Sequence, residues 1–209
     1  MPAAGGERAG PMPLRLCLDL NVLVRTALAQ RYHRAPGASA RVVRLVEDGY
    51  CALGPIQLVV SWPMLTTLRH ILVARGHGSE QADAFIELLR IVAERGPLAT
   101  PPYVILGGKG LLPMQDREDA GVAEAALAAN TDLLLTFDME DFAFGTRSRL
   151  RTEPLVLSAD GRQAALQATF GPTRRLVVAT PDLAIGWLLG QTVPPRGVLD
   201  RFVGRVPGA

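Results

Sequence analysis

Two short apolar runs, each ending in acid, constrain this chain more than any other feature. Leu14-Arg15-Leu16-Cys17-Leu18 ends in Asp19-Leu20-Asn21, and Leu133-Leu134-Leu135 ends in Thr136-Phe137-Asp138-Met139-Glu140-Asp141-Phe142. An apolar run of this length with turn chemistry after it reads as a buried parallel strand feeding a loop. Ligands of open α/β sheets bind just past the carboxyl ends of the strands. If the two strands are parallel neighbours, Asp19, Asp138 and Asp141 converge at one edge.

The segments between these runs alternate between strand and helix character. Asn21 reads as an N-cap for a helix over Val22–Ala29. Ala40–Asp48 is an amphipathic helix stopped at Gly49. Gln57–Val60 reads as a strand, and Ser61 caps a helix to about Ala74 with Pro63 in its first turn, where proline is tolerated. Ser79 caps a long helix to about Glu94, on which Ala82, Phe85, Ile86, Leu89 and Val92 form one apolar stripe. Tyr103–Leu106 fits a short strand, and Asp116 opens an alanine-rich helix through Asn130. Leu176–Ala179 is a last strand, and Thr180-Pro181 starts a final helix through Leu189. Alternation of this kind implies right-handed crossovers and a parallel sheet covered on both faces. The expected architecture is a three-layer α/β/α sandwich over residues 14–190, after a Gly/Ala/Pro-rich lead-in over 1–13 and before a tail over 191–209. Residues 143–175 read as an insertion containing one extra strand at Leu155–Leu157.

Composition narrows the chemistry. A chain of 209 residues that is 48% hydrophobic can bury one substantial core. The net charge of +2 gives no global basic field for nucleic acid. The positive charge is mostly arginine, clustered at Arg25, Arg31, Arg34, Arg41 and Arg44 and again at Arg147, Arg149, Arg151, Arg174 and Arg175. An arginine fork suits phosphate, and a solvated surface accounts for each cluster taken alone. Two cysteines and three histidines without ligand spacing argue against a disulfide framework or a zinc site. No signal segment or run of 18 apolar residues is seen, so a cytoplasmic protein is expected.

Four acids stand at element junctions. Asp19 ends the first strand, Asp138 and Asp141 follow the later one, and Asp119 lies in the first turn of the helix leading into it. Crowded carboxylates repel unless a cation joins them. Oxygen ligands of this kind suit Mg²⁺ or Mn²⁺. Taken singly, each acid is explained equally well as a cap or turn residue. Thr136 and Asn21 read either as caps or as helpers that orient a water, a carboxylate or Asp19.

These residues resemble a known family. Leu18-Asp19-Leu20-Asn21-Val22-Leu23-Val24 looks like the opening motif of PIN-domain ribonucleases. Asp116-Arg117-Glu118-Asp119, the alanine-rich helix and Thr131–Phe142 look like their second half, and Val178–Leu183 resembles the end of that domain. The resemblance implies metal-dependent hydrolysis of RNA phosphodiesters, with Asp19, Asp119 and Asp138 as catalytic and metal-binding acids and Asp141 as an additional one. It also suggests a VapC-like toxin, a homodimer neutralised by a partner antitoxin. Arg147, Arg149 and Arg151 follow the site and are candidates to grip flanking phosphates.

One position departs from the pattern. Such proteins usually carry a glutamate on the helix after the second strand, and here that position is Thr67. One carboxylate fewer weakens cation binding. A degenerate domain that binds RNA or protein without cutting is therefore the competing reading. A Rossmann-type phosphatase or nucleotide enzyme is a distant third: Asp19-Leu20-Asn21 lacks the second aspartate, and Gly107-Gly108-Lys109-Gly110 lacks P-loop spacing.

Overall fold

A computed structural model describes residues 12–96, 104–105, 117–142, 150–170, 174–195 and 198–204. The first apolar run forms β1 (Leu14–Leu18), and α1 (Leu20–Arg31) follows at once. Next come α2 (Ala38–Asp48), a two-residue strand β2 (Tyr50–Cys51), β3 (Gly54–Ser61), α3 (Trp62–Ala74) and α4 (Ser79–Glu94). Then follow β4 (Val104–Ile105), α5 (Arg117–Ala128), β5 (Leu133–Leu135) and the short α6 (Met139–Phe142). The chain continues with β6 (Leu150–Leu157), β7 (Gln163–Phe170), β8 (Arg174–Ala179), α7 (Pro181–Leu188) and α8 (Asp200–Val203).

The strands form one sheet in the order β2-β3-β1-β5-β8-β7-β6, with β4 paired to β3. The centre is parallel. β1 pairs with β3 on one side (Cys17 opposite Val59) and with β5 on the other (Leu18 opposite Leu135), and β5 pairs with β8 (Leu135 opposite Ala179). Helices cover both sides, as expected for an α/β/α sandwich. Because both faces are covered, the central strands are mainly apolar: Leu16, Cys17, Leu18, Leu133, Leu134, Leu135, Val178 and Ala179 are all fully buried.

The expected parallel centre is present, and beyond it the sheet is mixed. Residues 150–170 form a β6–β7 hairpin, and β7 lies antiparallel to β8 (Leu166 opposite Val178). The hairpin is therefore an extension of the sheet, longer than the single strand expected at Leu155–Leu157. At the opposite edge β2 folds back antiparallel on Gly54 and Pro55. Pro55 is tolerated because it stands at the start of β3, one residue before the pairing with β1 begins at Ile56.

Three helix starts also differ from expectation. The cap of α1 is Asp19, whose side chain accepts from the Leu20 N–H, and Asn21 lies inside the helix. Asn21 cannot cap because its amide is spent elsewhere, as described below. Gly78 occupies the cap position of α4 and Ser79 is its first helical residue. Gly37, in extended conformation, precedes α2. Ser61 and Thr180 do cap α3 and α7, accepting from the Met64 and Leu183 N–H groups. Asp116, Gly107–Gly110, Arg147 and Arg149 lie outside the described residues, as does the side chain of Arg151.

Within the stretch read as a tail, Val198, Leu199 and Phe202 join the main hydrophobic cluster. Among the described residues no helix is long and apolar enough to cross a membrane.

Leu134 is fully buried in the central β5, whereas Leu157 at the end of β6 is 59% exposed. Leu134→Ala is expected to cost about 2–5 kcal/mol in urea denaturation. Leu157→Ala is expected to stay within about 0.5 kcal/mol of wild type.

Candidate active site at the carboxyl edge

The register of the parallel strands lines up one polar residue at each carboxyl end. Extending the pairing past the last apolar residues places Ser61, Asp19, Thr136 and Thr180 side by side across β3, β1, β5 and β8. Asp19 and Thr136 are joined most closely. The Asp19 N–H donates to the Leu135 carbonyl at 2.9 Å, and the Thr136 N–H donates to the Ala179 carbonyl at 3.1 Å.

Thr136 is the hub of this row. It is fully buried, and its hydroxyl donates to Asp19 Oδ2 at 2.7 Å. The same oxygen accepts from Asn21 Nδ2 at 3.0 Å and from the Asp138 N–H at 2.9 Å. One donor and two acceptor positions are all a hydroxyl has, so Thr136 is saturated. Asn21 completes the link by accepting from the Phe137 N–H at its Oδ1, at 3.2 Å. The two acidic motifs, 117 residues apart in sequence, are thus tied through neutral side chains.

The Asp19 carboxylate is 2% exposed. Its Oδ1 accepts from the Leu20 N–H at 2.6 Å while Oδ2 accepts from Thr136, so the group has one orientation. The charge is felt beneath it: burial first, and the Asp19 carboxylate second, push the Cys17 thiol far above its ordinary range. Cys17 is therefore a structural thiol and not a nucleophile.

The other acids occupy the same end of the sheet. Asp138 is exposed and follows β5 by three residues, with its backbone pinned by Thr136. Asp141 is exposed on α6. Asp119 is half-buried in the first turn of α5. That helix ends beside the amino edge, where the Asp132 N–H donates to the Arg15 carbonyl, so its start lies toward the carboxyl edge. Among the described residues, no three His, Cys, Asp or Glu side chains come together closely enough to hold a metal ion. What suits a hard divalent cation is the donor chemistry, which is carboxylate oxygen throughout.

Two residues at this edge were not singled out for the site by the sequence. Arg25 lies with its guanidinium 3.9 Å from the centroid of the Phe137 ring, between Thr136 and Asp138 in sequence. The signal was available, since Arg25 is four residues past Asn21 and shares its helix face. Trp62 follows Ser61 directly and is 45% exposed. Thr67, the position where a glutamate was expected, is half-buried in the second turn of α3.

Residues 15–140 match the family model of the PIN domain, more than half of the chain. The chain belongs to the PIN-domain family. The match takes in Asp19, Asp119 and Asp138 and stops before Asp141 and the β6–β7 hairpin. PIN domains are usually nucleases that use Mg²⁺ or Mn²⁺, and PIN nucleases act on RNA. No curated protein and no solved structure matches the chain.

Replacing Thr136 by valine keeps the shape and removes the hydroxyl, leaving the Asp138 N–H and Asn21 Nδ2 without their acceptor. The buried Asp19 Oδ2 also loses its donor, and a buried polar group left without its partner costs about 1–3 kcal/mol. Thr136→Val is therefore expected to lower unfolding free energy by about 2 kcal/mol or more, and Thr136→Ser to recover most of it. Equal stability of the valine variant and wild type in urea denaturation would show that the hydroxyl does not organise this edge.

Proposed function

We propose that this PIN-domain protein is a Mg²⁺- or Mn²⁺-dependent endoribonuclease and the toxin half of a toxin–antitoxin pair. The observation that carries the reading is Asp19, a buried carboxylate fixed through both oxygens at the point where the two acidic motifs meet. Asp19, Asp119 and Asp138 would hold the cation, with Asp141 beside them. A bound divalent cation lowers the pKa of water and stabilises charge on a phosphate.

The chain's own groups would do the rest. Thr136 and Asn21 fix Asp19 and the backbone of Asp138. Outer contacts of this kind typically contribute ten- to a hundredfold, as an order of magnitude, to metal affinity or activity. Arg25 brings positive charge to a rim that is otherwise acidic, and the exposed face of Trp62 offers a stacking surface for an RNA base. Arg147, Arg149 and Arg151 are candidates for flanking phosphates. An RNA substrate would place the activity in the cytoplasm. As a toxin, the chain would act as a homodimer held inactive by an antitoxin protein.

Thr67 favours a second reading, a domain that binds RNA or protein without cutting, because the usual fourth carboxylate is replaced by a neutral hydroxyl. The two readings separate in a cleavage assay. Wild type with Mn²⁺ is expected to cut single-stranded RNA. Asp19→Asn or Asp138→Asn should reduce the rate by about a hundredfold or more. Cleavage retained by both variants, or absent from wild type, would count against the nuclease reading. Trp62→Ala should weaken RNA binding by about 1–3 kcal/mol if a base stacks there. The toxin role is checked by inducible expression: growth arrest with wild type and none with Asp19→Asn is the expected pair of outcomes.

A further inference from the structure

A second charged cluster lies at the opposite, amino end of the sheet. A cavity of about 220 Å³ opens between the end of α5, the starts of β1 and β5, β8 and α8. Three guanidinium groups, Arg15, Arg175 and Arg201, stand in its wall with one carboxylate, Asp132. By charge the lining therefore carries an excess of two positive charges. Along β1, Arg15 is four residues from Asp19, about 13 Å at the usual strand rise, so this cavity is not part of the acidic edge.

The wall is built around Asp132. Its Oδ2 accepts from the Arg15 N–H at 2.9 Å, and its Oδ1 pairs with the Arg201 guanidinium. The Arg15 side chain donates to the Ala129 carbonyl at 3.0 Å, which ties it to the end of α5. Asp132 thus has both oxygens committed. Arg175 is exposed, and among the described residues it makes no ion pair.

Of the three guanidinium groups, Arg15 and Arg201 are held by the Ala129 carbonyl and by Asp132, and Arg175 is exposed at the mouth of the cavity. An arginine fork suits the oxygens of a phosphate. The cavity holds about seven waters' worth of space, more than one phosphate group requires. Leu127 and Leu176 line part of the remainder and suit the less polar portion of a ligand.

We propose that this cavity is a second, non-catalytic binding site for a nucleoside monophosphate, with the phosphate held by Arg175 beside Arg15 and Arg201. The shared chemistry is a phosphate monoester on a nucleoside. It has two sources, a free nucleotide or the 5′-phosphorylated end of an RNA strand. The site does not rest on the nuclease reading.

Isothermal titration of the full chain in EDTA tests it. The probes are adenosine 5′-monophosphate and a short single-stranded RNA with either a 5′-phosphate or a 5′-hydroxyl. Wild type is expected to bind the mononucleotide or the 5′-phosphorylated RNA saturably. Arg175→Gln, at an exposed position and with an unchanged melting temperature, should bind at least tenfold more weakly. Leu157→Ala, exposed at the end of β6 and away from both edges, should bind as wild type does. Binding of the mononucleotide assigns the source as a free nucleotide. Binding of the phosphorylated RNA alone assigns it as an RNA end. Absence of saturable binding by wild type, or affinity unchanged by Arg175→Gln, overturns the proposal.

Discussion

The fold of the candidate site depends on one hydroxyl. Thr136 Oγ1 gives its proton to Asp19 and receives hydrogen bonds from Asn21 and from the Asp138 backbone. A buried carboxylate is tolerated only where donors surround it. Here they come from the first turn of α1 and from the residue after β5, so the strand pairing that creates the core also creates the anion's environment. The parallel register of β1 and β5 sets this: a slip of one residue would move every side chain of the strand to the other face and take Thr136 away from Asp19.

Charge is divided between the two ends of the same sheet. The carboxyl edge gathers Asp19, Asp138, Asp141 and Asp119, with Arg25 resting on Phe137. The amino edge gathers Arg15, Arg175 and Arg201 around Asp132. A net charge of only +2 conceals this separation. The two ends therefore differ in the sign of their charge.

The central strands and most helices were legible because their signals are local. Leu14–Leu18 and Leu133–Leu135 are unbroken apolar runs with acids after them, and the structure pairs them as parallel neighbours. The PIN family was legible too, from the acidic motifs and their order. The β6–β7 hairpin was not. Leu150–Leu157 carries Pro154 inside it, and Gln163–Phe170 is built of Ala, Gln and Thr as much as of strongly apolar residues, so neither shows a clean alternation. Its place in the sheet comes from pairing with β8, a contact that no local pattern announces. The cap of α1 was misassigned by two residues for a related reason. Asn21 has cap chemistry, but Thr136 and Phe137 take up its side chain, and Asp19 caps instead. Trp62 went unremarked because its place at this edge comes from the β1–β3 register, whereas the spacing of Arg25 from Asn21 on α1 was a local signal.

The central claim is that the fixed carboxylate of Asp19 belongs to a divalent-cation site shared with Asp138. The most direct measurement is thermal unfolding of wild type and Asp138→Asn during titration with Mn²⁺ and Mg²⁺. A ligand that binds only the folded state adds about 2.7 kcal/mol at a hundredfold excess over its dissociation constant. The account predicts a rise in melting temperature for wild type that is lost in Asp138→Asn. No rise at millimolar metal, or an equal rise in both proteins, would contradict it.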